Sequence, residues 1–279
     1  GILRVGHNSA LGTGTLTLTA GQLSSSSTTG YTLANALVLA GPVTLGDAVN
    51  TGELTFTTDI DLGAVDRTFT TASGITFAGV VSNGGLIKEG SATLTLSGAN
   101  TFAGATAVNA GTLATVGNAR LTASSGVTTL AGTTLRLGGA ETINTLANAG
   151  TVNLVNVGTG RRGLLALSGT IGQNIGSFTV DGAGLMLSTV PVSAVLNVTG
   201  GGYLGVAPAV LKGSTPPVQA VVDRVGVNKS TFNGTFGFDS FRDETTPQVF
   251  AESVSFANFG ANLTLGSMTG AILTGAITP

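Results

Sequence analysis

Apolar and polar residues alternate in short runs along most of the chain. The clearest run is Thr93-Leu94-Thr95-Leu96. In a strand, Leu94 and Leu96 point to one face and Thr93 and Thr95 to the other. β-Branched threonine suits a pleated, half-exposed surface. No apolar stripe with a 3.6-residue period passes through these positions. The same alternation predicts strands at Val43–Leu45, Leu54–Phe56, Ile75–Phe77, Leu135–Leu137, Leu164–Leu167, Leu185–Leu187 and Val195–Val198. Gly and Asn end many of the runs, because both tolerate the positive φ that tight corners require.

The runs recur in a fixed order. Val5-Gly6-His7-Asn8 and Thr15-Leu16-Thr17-Leu18 precede Ala20-Gly21-Gln22-Leu23. Val116-Gly117-Asn118-Ala119 and Val127-Thr128-Thr129-Leu130 precede Ala131-Gly132-Thr133-Thr134-Leu135. The Ala-Gly turn into a strand occurs again at residues 110 and 149, so the last three starts lie 21 and 18 residues apart. A period near twenty is the size of one coil of a β-solenoid with two or three short strands. One coil cannot bury its own apolar face, whereas coils stacked about 4.8 Å apart share a continuous core. About fourteen such coils would form a rod roughly 65 Å long. An antiparallel sandwich also suits frequent turns, but the self-similar period favours the solenoid.

The stretch 84–113 holds the most regular copy. It contains Gly84, Gly85, Leu86 and Lys88, then Gly90, Thr93, Leu94, Leu96 and Gly98. Asn100, Thr101, Phe102, Gly104, Thr106, Val108, Gly111, Thr112 and Leu113 follow. These thirty residues resemble the autotransporter-associated β-strand repeat, also called the passenger-associated transport repeat, of bacterial secreted surface proteins. The chain departs from that pattern at Phe102, where Tyr is usual, and at Ala92, where Gly is usual. The resemblance implies a parallel β-helix on an exported passenger, usually without catalytic residues. To about residue 205 the rest resembles the looser surroundings of such repeats.

Beyond residue 205 the character changes. Residues 207–217 hold three of the seven prolines and cannot form a central strand. Residues 218–259 carry seven of the twelve phenylalanines. A solenoid end exposes unpaired backbone and open core, so a covering segment is expected. The expected fold class is therefore all-β, a right-handed parallel β-helix (β-solenoid) with a divergent strand-rich C-terminal part. The expected organisation is a repeat-built helix over residues 1–205, a Pro-containing linker over 206–217, and a Phe-rich capping or interaction segment over 218–279. Residues 269–278 suit a last strand.

Composition narrows the function classes. Hydrophobic residues make up 42% and charged residues 9%, which excludes disorder through low hydropathy. The 44 glycines follow no Gly-x-y period, so collagen is excluded. A net charge of −2 with no basic run argues against nucleic acid. With no cysteine there is no disulfide, thiolate metal site or Cys nucleophile. No apolar stretch is long enough to span a bilayer as a helix, and no series of ten-residue amphipathic strands suggests an outer-membrane barrel. The chain opens on Gly1-Ile2-Leu3-Arg4 in a strand-like pattern rather than a signal peptide, as expected of a processed portion of a longer exported protein.

Candidate chemistry is sparse. His7 is the only histidine, and no Gly-x-Ser-x-Gly elbow exists. Without a neighbouring nucleophile and carboxylate it reads as a surface imidazole. Asp59, Asp61 and Asp66 form an acidic group that can chelate Ca²⁺ through oxygen, but the calcium β-roll nonapeptide is missing. A solvated outer face fits them better. Gly200, Gly202 and Gly205 have dinucleotide-fingerprint spacing, yet Pro208, Pro216 and Pro217 follow where a helix is needed. Asn100, Asn109, Asn118, Asn144, Asn148 and Asn153 recur near corners, where stacked side chains can hydrogen-bond along a solenoid and satisfy turn backbone. Arg161-Arg162, between glycines, reads as an exposed solvated loop, with a protease cleavage site as the alternative.

No catalytic, cofactor-binding or metal-binding residue is assigned, and no cofactor is expected. The leading expectation is a non-catalytic structural or adhesive part of an exported bacterial surface protein, extracellular or at the cell surface. Its expected partners are other copies, end to end or laterally, or a cell-surface or matrix component; fibre assembly is a variant of this reading. The alternative is a β-helix that binds or cleaves polysaccharide. Hydrolysis needs paired carboxylates, for which Asp59/Asp61 and Asp239/Asp243 are the close pairs; a lyase needs a base and a charge neutraliser.

Overall fold

The computed structural model describes the chain except residues 118, 122, 140, 144, 156–163, 168–175, 188–194, 207–217, 240–246 and 268–269, and the side chains of 142, 164, 166 and 167. Two compact units divide it, Gly1–Gly139 and Ala140–Pro279. The fold is a right-handed β-solenoid with a distinct strand-rich C-terminal region, and the paired strands of both units run parallel.

In the first unit three faces alternate along the chain. One face stacks Tyr31–Leu33, Leu54–Phe56, Ile75–Phe77, Thr93–Leu96, Thr112–Thr115 and Thr134–Leu137. Its register aligns Leu54, Ile75, Leu94, Leu113 and Leu135, at spacings of 21, 19, 19 and 22 residues. All five are buried. Thr32, Thr55, Thr76 and Thr95 align on the opposite, solvent side of the same strands. The alternation read from the sequence is therefore the in-and-out alternation of the solenoid wall.

The second face stacks Ile2–Val5, Gln22–Ser25, Val43–Leu45, the second half of Ile60–Thr71, Val81–Glu89, Thr106–Val108 and Val127–Thr129. The third is shorter. Leu16–Leu18 pairs with Leu37–Leu39, which pairs with the start of Ile60–Thr71. Further along it, buried Phe102 occupies the interior without a strand, and the amide of Thr101 donates to the Val81 carbonyl at 2.9 Å. Phe77 anchors the core between faces, with ring centroids 5.7 Å from Phe56 and 5.1 Å from Phe69 in edge-to-face geometry.

The structure corrects one equivalence. Ala20-Gly21 opens a strand of the second face, whereas Ala110-Gly111 and Ala131-Gly132 open strands of the first. Both kinds of corner need a left-handed residue before a strand, which Gly21, Gly111 and Gly132 supply with φ of 97°, 64° and 81°. The signal marks a corner, not a particular corner.

The second unit keeps the parallel stacking. Glu141–Ile143, Leu164–Leu167, Gly184–Leu187, Gly202–Val206, Gly234–Phe238 and Leu263–Gly266 form one six-stranded sheet. Thr151–Val155, Ser177–Asp181 and Val195–Thr199 stack on another face. Aligned Leu185 and Leu204 are 19 residues apart, but Leu204 and Phe236 are 32 apart and Phe236 and Leu265 29 apart. The longer turns end in two two-stranded pairs, Gln248–Phe250 with Ala271–Leu273 and Val254–Ser255 with Ile277–Thr278.

One long turn carries a helix where only strands were expected. Val218–Val225 is α-helical and Gly226–Thr231 is 3₁₀. Val218, Val221, Val222 and Val225, at i, i+3, i+4 and i+7, are its buried face. It packs against Val195–Thr199 and Val254–Ser255. The Glu252 carboxylate accepts from the backbone N–H groups of Val218 and Gln219 at 2.8 and 3.1 Å, capping its start. Beyond it the phenylalanines turn inward. Phe232, Phe236, Phe238, Phe250 and Phe256 are buried, and edge-to-face contacts link Phe238 and Phe250 at 5.4 Å and Phe236 and Phe256 at 5.2 Å. The proline segment 207–217 and Phe241 lie outside the described residues.

Interior and exterior positions should respond differently to truncation. Phe77→Ala is expected to lower the unfolding free energy by about 3–5 kcal/mol, through lost burial and the cavity left behind. Thr95→Ala, on the same ladder but facing out, should change it by less than about 1 kcal/mol. Urea denaturation followed by circular dichroism checks both.

Candidate functional site

Among the described residues, several of the polar groups singled out by their spacing are engaged by backbone at corners. His7 is exposed; its Nδ1 accepts from the Ser9 amide at 3.2 Å and lies 2.9 Å from Ser9 Oγ, a local turn contact. Asp59 Oδ1 accepts from the Val80 amide of the next coil at 2.8 Å. Asp61 Oδ1 accepts from the Gly63 amide at 2.8 Å and from Asn83 Nδ2 at 2.9 Å. Asp59, Asp61 and Asp66 are all exposed, and the described residues contain no group of three or more His, Asp or Glu placed to hold a metal ion. Asp47 shows the same use of a carboxylate. The amides of Val49 and Asn50 donate to it and hold its carboxyl below the usual range.

Gly200 and Gly201, with φ of 59° and 75°, turn the chain directly from Val195–Thr199 into Gly202–Val206. A strand stands where a dinucleotide fold needs a helix. Asp239 is buried and accepts from the Tyr203 hydroxyl, with Ser267 Oγ at 3.3 Å. Its proposed companion Asp243, like Arg161, Arg162, Asn118 and Asn144, lies outside the described residues.

Three of the described asparagines satisfy groups at or beside corners. Asn100 Oδ1 accepts from the Val81 amide at 3.0 Å, Asn109 Nδ2 donates to Glu89 Oε1 at 2.8 Å, and Asn148 Nδ2 donates to the Ser177 carbonyl at 3.3 Å. Asn153 instead lies within the strand Thr151–Val155. Asn35, which spacing did not single out, holds a corner as well. Its buried Nδ2 reaches the carbonyls of Leu11, Gly12 and Gly14 at 3.4, 3.2 and 2.8 Å.

The most unusual chemistry sits at Lys88. It occupies an interior position, aligned with Val43, Phe69, Val108 and Thr129 of neighbouring coils, and is fully buried. Its Nζ donates to the carbonyls of Glu89 at 2.8 Å, Gly90 at 2.7 Å and Ala110 at 3.0 Å. The first two belong to its own corner and the third to the next coil. Three carbonyl acceptors use all three ammonium protons. Burial still pushes the amine down to about 8, against the opposing pull of the Glu89 carboxylate. The parity with Leu86 was the available signal, since residues two apart share a strand face.

A passenger-associated-transport-repeat model matches residues 86–114. That span holds Lys88 and Asn100 and runs from one second-face strand through the next, so it covers one coil and the overlap with its successor. No curated protein and no solved structure matches the chain.

Lys88 sets a pH signature. A folded-state value near 8 against about 10.5 when unfolded means that unfolding takes up protons between those limits. The cost of burying the charge is fully present below about pH 8 and is relieved as pH rises toward 10.5. Lys88→Met should lower stability by about 2 kcal/mol at pH 7, because corner carbonyls lose their donor. The gap to the unsubstituted chain should widen by up to about 1.4 kcal/mol per pH unit above pH 8. Urea titrations of both chains at pH 7 and pH 9.5 measure it.

Proposed function

We propose that this chain is a non-catalytic structural or adhesive part of an exported bacterial surface protein. One observation carries the reading. The coil that matches the passenger-associated-transport-repeat model stacks like its neighbours, with Leu94, Leu96, Phe102 and Val108 buried inside and mainly small or polar side chains outside. Its polar groups hold corners and neighbouring coils together. The aspartates considered as a catalytic pair, Asp59 and Asp61, do the same. No helix among the described residues is long and apolar enough to cross a membrane.

In this reading the solenoid works as a weakly charged, extended surface, and residues 218–279 form its capping or interaction segment. Other copies or a cell-surface or matrix component are its partners. The repeat match supports an extracellular or surface location, because that family is associated with exported passengers.

Two measurements test it. Antibody against the chain should label intact producing cells, and labelling only after lysis would count against export. Purified chain incubated with neutral and acidic glycans should release no new ends. Turnover that vanishes in Asp59→Asn or Asp239→Asn would replace this reading with a polysaccharide-cleaving one.

A further inference from the structure

We propose that Lys88 is a register key of the solenoid, a buried group that lets its coil stack in a single alignment with the next. The problem it answers arises from repetition. Sliding one coil by two residues along its neighbour preserves the alternation of interior and exterior positions. Apolar contact is non-directional, so one aliphatic column accepts another after such a slip. The leucines and valines of this core therefore discriminate weakly between alignments.

An ammonium discriminates strongly. Lys88 finds two acceptors in its own corner, Glu89 and Gly90, wherever the next coil lies. The third, the Ala110 carbonyl, belongs to the next coil and arrives only in the observed register, with Leu86 opposite Thr106 and Lys88 opposite Val108. A two-residue slip carries that carbonyl about 6.6 Å away. The buried charge then keeps an unused donor in an apolar interior, which is costly. Asn109 reinforces the same pairing from outside, its amide donating to the Lys88 carbonyl at 2.9 Å and its side chain to Glu89 at 2.8 Å.

The device is directional. Toward the preceding coil Lys88 faces Phe69, and the contact there runs from Thr71 Oγ1 to the Ala92 carbonyl at 3.0 Å, without the amine. Its own strand contributes one charged neighbour, Glu89; the facing residues Phe69, Thr71, Val108 and Ala110 carry none. The key is active while the amine is protonated and weakens when it is neutral.

Engineered disulfides in the full chain read the register. Ile87 and Ala107 are opposite, outward-facing partners, so Ile87→Cys with Ala107→Cys reports the observed alignment. Ile87→Cys with Ala105→Cys reports a two-residue slip and is too far apart to close in the observed one. Each pair is refolded from urea at pH 7 and then oxidised. With Lys88 present, the first pair should close and the second should stay open. In the Lys88→Leu background the slipped pair should close at least about tenfold more. Refolding the Lys88-containing pairs at pH 10.5, before oxidation at pH 7, should raise slipped closure in the same direction; this arm decides alone if the leucine variant does not fold. Slipped closure that stays at the pH 7, Lys88-containing level in every arm that folds overturns the proposal.

Discussion

Everything in this fold follows from the inability of one coil to bury its own interior. A coil of about twenty residues offers a few inward leucines or valines and leaves its backbone edges open. A neighbour must supply both the apolar cover and the hydrogen-bond partners. Parallel stacking does the two at once, as the aligned column Leu54, Ile75, Leu94, Leu113 and Leu135 shows. The interior is consequently a set of columns in which each residue is judged by the residues above and below it, more than by its sequence neighbours.

That constraint explains what was legible. Strand positions follow from parity alone, so Val43–Leu45, Leu54–Phe56 and Ile75–Phe77 are strands with the bounds expected of them. Parallel pairing followed from the period. Which face a strand occupies did not, because the Ala-Gly corner signal is a statement about φ and serves more than one corner. Lys88 was legible in principle through its parity with Leu86. A lysine is ordinarily assigned to solvent, and only the carbonyls of Gly90 and Ala110 reveal why this one is not.

The helix Val218–Val225 was hidden for a different reason. Its four valines have helical spacing, but β-branched residues favour strands. Its cap comes from Glu252, 34 residues after Val218, where no local capping rule would find it. Side-chain amides tie the helical segment to its neighbouring strands. Gln219 Oε1 accepts from the Ser255 amide at 2.7 Å, and Asn228 Nδ2 donates to the Leu196 carbonyl at 3.1 Å. Polar groups on the edges of two strands thereby find partners on the helical segment instead of on another strand. The sheet face is interrupted without leaving those groups unpaired.

The short family match also has a physical reading. A stack tolerates change wherever the replacement keeps its side of the wall, so most positions can drift while the architecture persists. Corners are less forgiving. At residues 89–92 and 109–112 the backbones of successive coils approach so closely that a Cβ at Gly111 would lie 2.4 Å from the Gly90 carbonyl oxygen. The same corners supply the acceptors for Lys88 and the partner for Asn109. A recognisable sequence pattern survives where backbone crowding, a buried cation and a side-chain clamp constrain the same few residues together. Along an ordinary stretch of wall, only the parity of apolar positions is constrained, and many sequences satisfy that.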